Sequence, residues 1–218
     1  MTFGDAQSIL LAPLVCIISF FVLAIGCRKL PYQGVYIPIL AMVFAVVLFS
    51  LAIADYDQPV NLSLTWFEVS GVNLAWDLYV DAVSLTMIGL ISVVSLMVQL
   101  YSLQYMGGDE RIGWYYAVLS LFAASMMLLV LSWNLVLLYA VWELVGVCSY
   151  LLIGFWYERR SAAEAAKKAF ITTRIGDVGL LIGIIIIFKG AGTFHVCLLY
   201  TSDAADERSS VDLGGRRI

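Results

Sequence analysis

The stretch LVLLYAVWELVGVCSYLLIGFWY, from Leu135 to Tyr157, decides the fold, because it is uncharged throughout except for one carboxylate, Glu143. A stretch this long and this apolar crosses a bilayer as a helix, since a helix satisfies its own backbone hydrogen bonds in lipid. At 1.5 Å per residue Glu143 lies roughly 12 Å along that helix, well inside a hydrocarbon core about 30 Å thick. The sequence therefore predicts a membrane helix that carries a buried ionisable group.

The composition of the whole chain indicates the same class of protein. Of its 218 residues, 62% are hydrophobic and 13% are charged, and the mean hydropathy is +0.95. A soluble domain has about 25% charged residues, so we expect an all-α integral membrane protein. The net charge is -4, and the chain has no basic stripe of the kind that binds nucleic acid.

Long apolar stretches predict about six transmembrane helices, the N-terminal part of a larger helical bundle. The predicted spans are Ser8–Cys27, Val35–Ala54, Ala82–Tyr105, Gly113–Trp133, Leu135–Tyr157 and Ala169–Phe188. The fourth and fifth spans form one apolar run that would be roughly 67 Å long as a single helix, so the chain has to fold back within it. We predict the turn at Ser132, Trp133 and Asn134.

The charges of the loops predict the orientation in the membrane. Basic residues follow the first, third and fifth spans, as Arg28, Lys29, Arg111, Arg159, Arg160, Lys167 and Lys168. The loop after the second span is acidic, with Asp55, Asp57, Glu68 and Asp77. The positive-inside rule therefore places the basic loops in the cytoplasm and the N-terminus outside. We expect a multi-pass protein of the cell inner (cytoplasmic) membrane.

The acidic loop also has a strand pattern. Apolar and polar residues alternate in Asn61–Trp66 and in Gly71–Trp76. This alternation is typical of a short β-hairpin, which we expect on the extracytoplasmic side.

The chain has few residues that could hold a metal or a redox group. Its four cysteines, Cys16, Cys27, Cys148 and Cys197, have no CxxC spacing, and His195 is the one histidine. We therefore expect no metal, haem or iron–sulfur site in this chain, and any redox chemistry in partner subunits.

Glu143 is the first candidate for handling protons or ions. A buried carboxylate at this depth costs about 3 kcal/mol on insertion scales and normally faces a bundle interior or a hydrated cavity. The alternative is a static hydrogen bond between helices, which Gln or Ser would make at a lower cost.

In the sixth span Arg174 and Asp177 are three residues apart, on neighbouring positions of one helix face. They form either a static ion pair that lets the helix insert or a switchable pair that feeds the Glu143 site. Gly176, Gly179 and Gly183 give the same helix a small face, which we expect to pack closely on a neighbour. Lys167 and Lys168 are interpreted as membrane-edge anchors, with proton entry as the alternative.

Four strings carry a resemblance to a known family. They are DAVSLTMIGLISVV from Asp81, YSLQYM from Tyr101, WELVGVCSYLLIGFWY from Trp142 and AAKKAFITTRIGDVGLL from Ala165. The chain resembles the N-terminal portion of the largest antiporter-like subunit of proton-pumping NADH:quinone oxidoreductase, subunit L or chain 5 of respiratory complex I. The motif around Glu143 is specific to this group, which also includes the large subunit of multisubunit cation/proton antiporters.

The resemblance implies roles for three residues. Glu143 matches the buried glutamate of the fifth helix of the family, and Arg174 and Asp177 match charged positions of the sixth. It implies proton translocation driven by partner subunits, which hold NADH, FMN, iron–sulfur clusters and quinone, with other complex I membrane subunits and the lipid bilayer as partners. The lysine that would face Glu143 belongs to a seventh helix, so we expect no cationic partner for Glu143 within this chain.

The resemblance ends near Phe194. Residues 1–194 are predicted to form the antiporter-like transmembrane domain, and residues 195–218 a polar tail that is disordered or joined by a sequence artefact. Two functions stay open, a proton-translocating subunit of complex I and a subunit of a cation/proton antiporter. A purely structural membrane scaffold is disfavoured by the three charged residues of the fifth and sixth spans.

Overall fold

The computed structural model describes residues 9–26, 30–54, 56–69 and 72–196. Within these residues, six α-helices and one β-hairpin follow one another. They are α1 (Leu11–Gly26), α2 (Tyr36–Ala54), β1 (Val60–Val69), β2 (Val72–Val80), α3 (Ala82–Tyr105), α4 (Ile112–Leu131), α5 (Leu135–Ile153) and α6 (Arg160–Ala191). The predicted all-α membrane class is confirmed.

In the described part of the chain, five helices, α2 to α6, are long and apolar enough to cross a membrane. The first predicted span is a shorter apolar helix, α1, of 16 residues. Cys27, Arg28 and Lys29, at its end, lie outside the described residues. The chain is a multi-pass membrane protein.

The predicted turn between the fourth and fifth spans is confirmed. Helix α4 ends at Leu131, and α5 begins after Asn134, whose side chain accepts a hydrogen bond from the backbone N–H of Val136. Such a cap satisfies one of the free N–H groups at the start of a helix. The predicted end of the fifth span was wrong, because α5 stops at Ile153 and a turn follows it.

Helix α6 is longer than the predicted sixth span. It has 32 residues and ends at Ala191, before Gly192, which has the left-handed backbone conformation of a C-terminal cap. At 1.5 Å per residue it is about 48 Å long, more than the hydrocarbon core of a bilayer. Its polar first turns, which include Lys167 and Lys168, therefore precede the apolar part of the helix.

The predicted hairpin is confirmed, and it is longer than predicted. Strands β1 and β2 pair antiparallel from Val60 and Val80 to Val69 and Val72, with one irregularity after Thr65. Asp55 and Gly71 lie outside the described residues.

The core of the bundle lies among α1, α2, α3 and α4. Small buried side chains let these helices approach closely, and Ser120 of α4 donates a hydrogen bond of 2.9 Å to the carbonyl oxygen of Cys16 in α1. Larger side chains fill the remaining space, notably Met42, Leu48, Ile88 and Met127. Close packing through small residues is typical of membrane helices.

Hydrogen bonds join the loops after α1, α3 and α5 at one end of the bundle. The side chain of Gln33 donates to the carbonyl oxygen of Glu110 and accepts from the N–H of Gly113, each at 2.9 Å. The Trp156 indole donates to the Asp109 carboxylate at 3.1 Å. The loops predicted to share one side of the membrane therefore lie together.

The small face of α6 has no close neighbour among the described residues. A Cβ atom added to Gly176, Gly179 or Gly183 would have nothing within 4 Å. The predicted close packing of this face is therefore not found within the described chain.

Candidate functional site

The site lies where α5 and α6 pack against each other. Glu143 comes from the middle of α5, and Arg174 comes from the apolar part of α6. Nη1 of Arg174 contacts Oε2 of Glu143 directly, and Nη2 donates to the backbone oxygen of Glu143 at 3.3 Å. The expectation that Glu143 has no cationic partner within this chain was therefore wrong, because the neighbouring helix supplies one.

Asp177 completes the group of charges. It is one of three buried residues of α6, and its Oδ2 lies 3.7 Å from Nη1 of Arg174. Its other oxygen accepts a hydrogen bond of 2.9 Å from the indole N–H of Trp142. Arg174 thus lies between two carboxylates, one from each helix, and the indole holds the second one.

The local sequence leaves room for the arginine. Gly146 is three residues after Glu143, on the same helix face, and a Cβ atom added there would lie 3.5 Å from Nη2 of Arg174. On its other side the guanidinium lies over the ring of Phe170, 4.4 Å from the centroid. Nε of Arg174 is buried and has no acceptor among the described residues.

A cavity of about 370 Å³ opens beside these charges. Its walls come from α4, α5 and α6 and include Met126, Trp142, Gly146, Phe170 and Asp177. The site can therefore present a carboxylate to a space large enough for water, which a proton path in a membrane requires.

The residues that follow the C-terminal end of α6 contact the hairpin. Nδ1 of His195 lies 2.7 Å from Oδ2 of Asp77, which is 2% exposed. The N–H of Leu135 donates to the carbonyl oxygen of Phe194 at 3.0 Å, and the N–H of Trp133 donates to that of Asp77 at 2.9 Å. These contacts fix the ends of α5 and α6 relative to each other.

The same contacts bear on the predicted start of the tail. His195 and Val196 are described, and they pack on the turn before α5. Residues 197–218, including Cys197, lie outside the described residues, so disorder there stays a prediction. Among the described residues, no three His, Cys, Asp or Glu side chains come together as metal ligands could.

The loop after α3, which lies near the N-terminal end of α6, contains Asp109. The pKa of its carboxyl group is lowered below the ordinary value for Asp. The N–H of Arg111 donates to its carboxylate at 2.8 Å, and the Trp156 indole donates at 3.1 Å. The backbone hydrogen bond from Arg111 is the main cause of the lower pKa, and partial burial opposes it.

Sequence reasoning proposed all three charged residues, and the structure brings them together. It did not anticipate that Arg174 pairs with Glu143 across the helix interface, or that Trp142 binds Asp177. The sequence did contain a signal for this hydrogen bond. Trp142 directly precedes Glu143, and a buried indole N–H usually has a hydrogen-bond partner. Lys167 and Lys168 lie in the first turns of α6 and are no part of this site.

Two family descriptions match the chain. Residues 66–116 match "NADH-Ubiquinone oxidoreductase (complex I), chain 5 N-terminus", and residues 132–212 match "NADH:quinone oxidoreductase/Mrp antiporter, TM". Together they include more than half of the chain, with α5 and α6 in the second. That match continues past Phe194, where the resemblance was predicted to end.

Curated relatives are similar over most of the chain. Subunit L of the F(420)H(2) dehydrogenase of Methanosarcina mazei is 42% identical over 81% of this chain and 26% of its own length. Chain 5 of the NAD(P)H-quinone oxidoreductase of Synechocystis sp. is 47% identical over 65% of this chain and 20% of its own length. The chain thus spans about a fifth to a quarter of the length of these two relatives.

A solved structure has the same fold. A chain of the membrane-bound sulfane sulfur reductase, an archaeal respiratory membrane complex, superposes with a TM-score of 0.76 at 19% identity. The superposition covers 88% of this chain and 39% of that chain.

Proposed function

Because the chain belongs to the family of antiporter-like membrane subunits of NADH:quinone oxidoreductase, we propose that it forms part of a proton-translocating subunit of such a complex. In this proposal partner subunits oxidise NADH and reduce quinone, and they hold the FMN and the iron–sulfur clusters. The proposed partners are the other membrane subunits of complex I, above all the neighbouring antiporter-like ones.

The contact between Glu143 and Arg174 is the observation that carries the proposal. An ion pair inside an apolar bundle is costly to desolvate and is rarely placed there without a functional need. Arg174 has a second carboxylate, Asp177, within 3.7 Å, so the guanidinium can move from one acid to the other over a short distance.

A proton-transfer step follows from the two alternative partners of Arg174. While Arg174 stays on Glu143, the Glu143 carboxylate is neutralised by the guanidinium. When Arg174 moves to Asp177, Glu143 is left in apolar surroundings, where a neutral carboxyl group costs less than a charged one, and it takes up a proton. The return of the guanidinium to Glu143 releases that proton to water, which can reach the Glu143 side chain because it is 23% exposed. In this scheme Trp142 keeps the Asp177 carboxylate in place through its hydrogen bond of 2.9 Å.

We further propose that the chain lies in the cell inner (cytoplasmic) membrane with the loops after α1, α3 and α5 inside. Support for this orientation comes from the positive-inside rule and from the hydrogen bonds at one end of the bundle that join Gln33 to Glu110 and Trp156 to Asp109. The hairpin and His195 would then lie outside.

A cation/proton antiporter subunit is the second candidate. The family description that matches α5 and α6 names both NADH:quinone oxidoreductases and Mrp antiporters, and the charges of the site serve either process. The driving force separates the two candidates. NADH-dependent acidification of inverted vesicles favours the first, and acidification driven by a sodium gradient alone favours the second.

The test replaces Glu143 by Gln in a complete subunit that contains this segment, assembled with its partners. Glu143→Gln removes the proton-binding group and keeps the shape, so NADH-driven acidification should fall more than fivefold while the complex still assembles. Glu164→Gln is the matched control, because Glu164 pairs with Arg160 on the exposed start of α6. Unchanged pumping by Glu143→Gln would overturn the proposal.

A further inference from the structure

A second cleft lies at the end of the bundle where the loop after α3 meets the loop after α5. Its volume is about 350 Å³, and Arg111, Trp114, Gly154, Tyr157, Ala166 and Lys167 are among the residues that line it. It is separate from the cavity beside Asp177, with which it shares only Tyr150 among the lining residues. The proposed proton step does not use this cleft.

The charge of the cleft is positive. Arg111 and Lys167 are its charged lining residues, and Lys167 makes no ion pair with any described residue. Nη2 of Arg111 lies 3.4 Å from Glu158, whose side chain is 69% exposed. An ion pair this exposed is weak and exchangeable, so an anion that enters can take the place of Glu158.

Contacts with neighbouring residues fix the position of Arg111 in the cleft. Its guanidinium lies over the rings of Tyr157 and Phe155, at 4.9 and 5.3 Å from the centroids, and its backbone N–H is bound to Asp109. Stacking on aromatic rings fixes the planar group, which suits phosphate geometry.

The depth of the cleft matches the lipid headgroups. Trp114 is the third residue of α4, and Tyr157 follows the end of α5. Tryptophan and tyrosine concentrate at the membrane–water interface. Lys167 is seven residues into α6, about 10 Å along the axis and just before the apolar part of the helix.

We propose that this cleft binds the phosphate group of an anionic phospholipid, with Arg111 and Lys167 as its cationic ligands. Free phosphate has the same charged group, but the walls of the cleft are mainly aromatic and aliphatic side chains, which favour the glycerol and upper acyl carbons of a lipid. The lipid would join the start of α6 to the loop after α3, and the proposal does not depend on the proton step.

Two adjacent lysines allow a matched test. Lys167 lines the cleft and Lys168 does not, although both are exposed and carry the same charge. The purified 218-residue chain, in a neutral detergent, is titrated with phosphatidylglycerol or phosphatidylcholine, and bound lipid is counted by native mass spectrometry. A third titration uses inorganic phosphate.

We expect one phosphatidylglycerol to bind well above phosphatidylcholine. Lys167→Gln should weaken that binding about fivefold, because this is the gain in affinity that one lysine or arginine contributes near an anionic lipid surface. Lys168→Gln and Lys167→Arg should bind as the original chain does, and millimolar phosphate should not displace the lipid.

Three results would overturn the proposal. They are equal losses for Lys167→Gln and Lys168→Gln, no preference for phosphatidylglycerol, and binding of inorganic phosphate alone that matches the lipid. Equal losses for the two lysine variants would indicate a diffuse attraction to surface charge. Equally strong binding of inorganic phosphate would indicate a site for a free anion.

Discussion

The guanidinium of Arg174 contacts the carboxylate of Glu143 across the interface between α5 and α6. A second acid, Asp177, is on the same helix as the arginine, with its Oδ2 3.7 Å away. The stronger contact is therefore between helices, so this charge pair also holds α6 on α5. That matters for α6, of whose residues few are buried.

The first prediction concerns the charge balance of the site. Arg174→Gln should lower the free energy of unfolding by about 3 kcal/mol, because it leaves the half-buried Glu143 and the buried Asp177 without a cation. The double variant with Glu143→Gln should recover part of that loss. Thermal unfolding in mild detergent measures both, and Lys168→Gln controls for the loss of a positive charge. If Arg174→Gln unfolds like Lys168→Gln, the pair contributes nothing to stability.

The second prediction concerns the indole of Trp142. Trp142→Phe keeps the ring and removes the N–H that binds Asp177, so it should cost about 1.5 kcal/mol, as for a hydrogen bond to a charged group. In an Asp177→Ala background the same change should cost much less. A full double-mutant cycle gives the coupling energy. An equal cost in both backgrounds would mean that Trp142 acts through packing alone.

The third prediction concerns the space at Gly146. A Cβ atom there would lie 3.5 Å from Nη2 of Arg174, which is ordinary contact. Gly146→Ala should therefore be tolerated, whereas Gly146→Leu should displace the guanidinium and destabilise the bundle by about 1 to 3 kcal/mol. Gly179→Leu is the control on the open face of α6. Equal melting temperatures for the two leucine variants would contradict the proposed close approach.

The fourth prediction concerns pH. The pKa of Asp109 is lowered in the folded protein, mainly by the hydrogen bond from the N–H of Arg111. A carboxyl group with a lowered pKa contributes stability above its ordinary pKa, about 3.9. That contribution is lost as the pH falls from there through the folded-state pKa.

Melting curves between pH 3 and pH 7 test this pH dependence. The original chain should be more stable than Asp109→Asn near pH 6, and the difference should shrink below pH 4. Glu110→Gln, at the neighbouring position, should show no such pH dependence, because only the backbone oxygen of Glu110 takes part in the hydrogen bonds found here. A difference that stays constant down to pH 3 would count against the role of Asp109.

Much of the fold could be predicted because membrane helices are defined by composition. Five of the six predicted spans correspond to helices long and apolar enough to cross a membrane, and the break at Ser132 to Asn134 lies where predicted. The end of the fifth span could not be predicted, since the residues from Gly154 to Tyr157 are apolar whether or not the helix continues through them.

The sequence by itself determined which groups are ionisable at membrane depth, because a charge in an apolar stretch of 20 residues is visible without coordinates. It also determined that Arg174 and Asp177 share a helix face, because their spacing is fixed by the helix period. The tertiary structure alone decided that Arg174 contacts Glu143. That contact depends on the rotation of α6 against α5 and on the space at Gly146, and contacts between segments 31 residues apart in the chain are set by packing and not by local spacing.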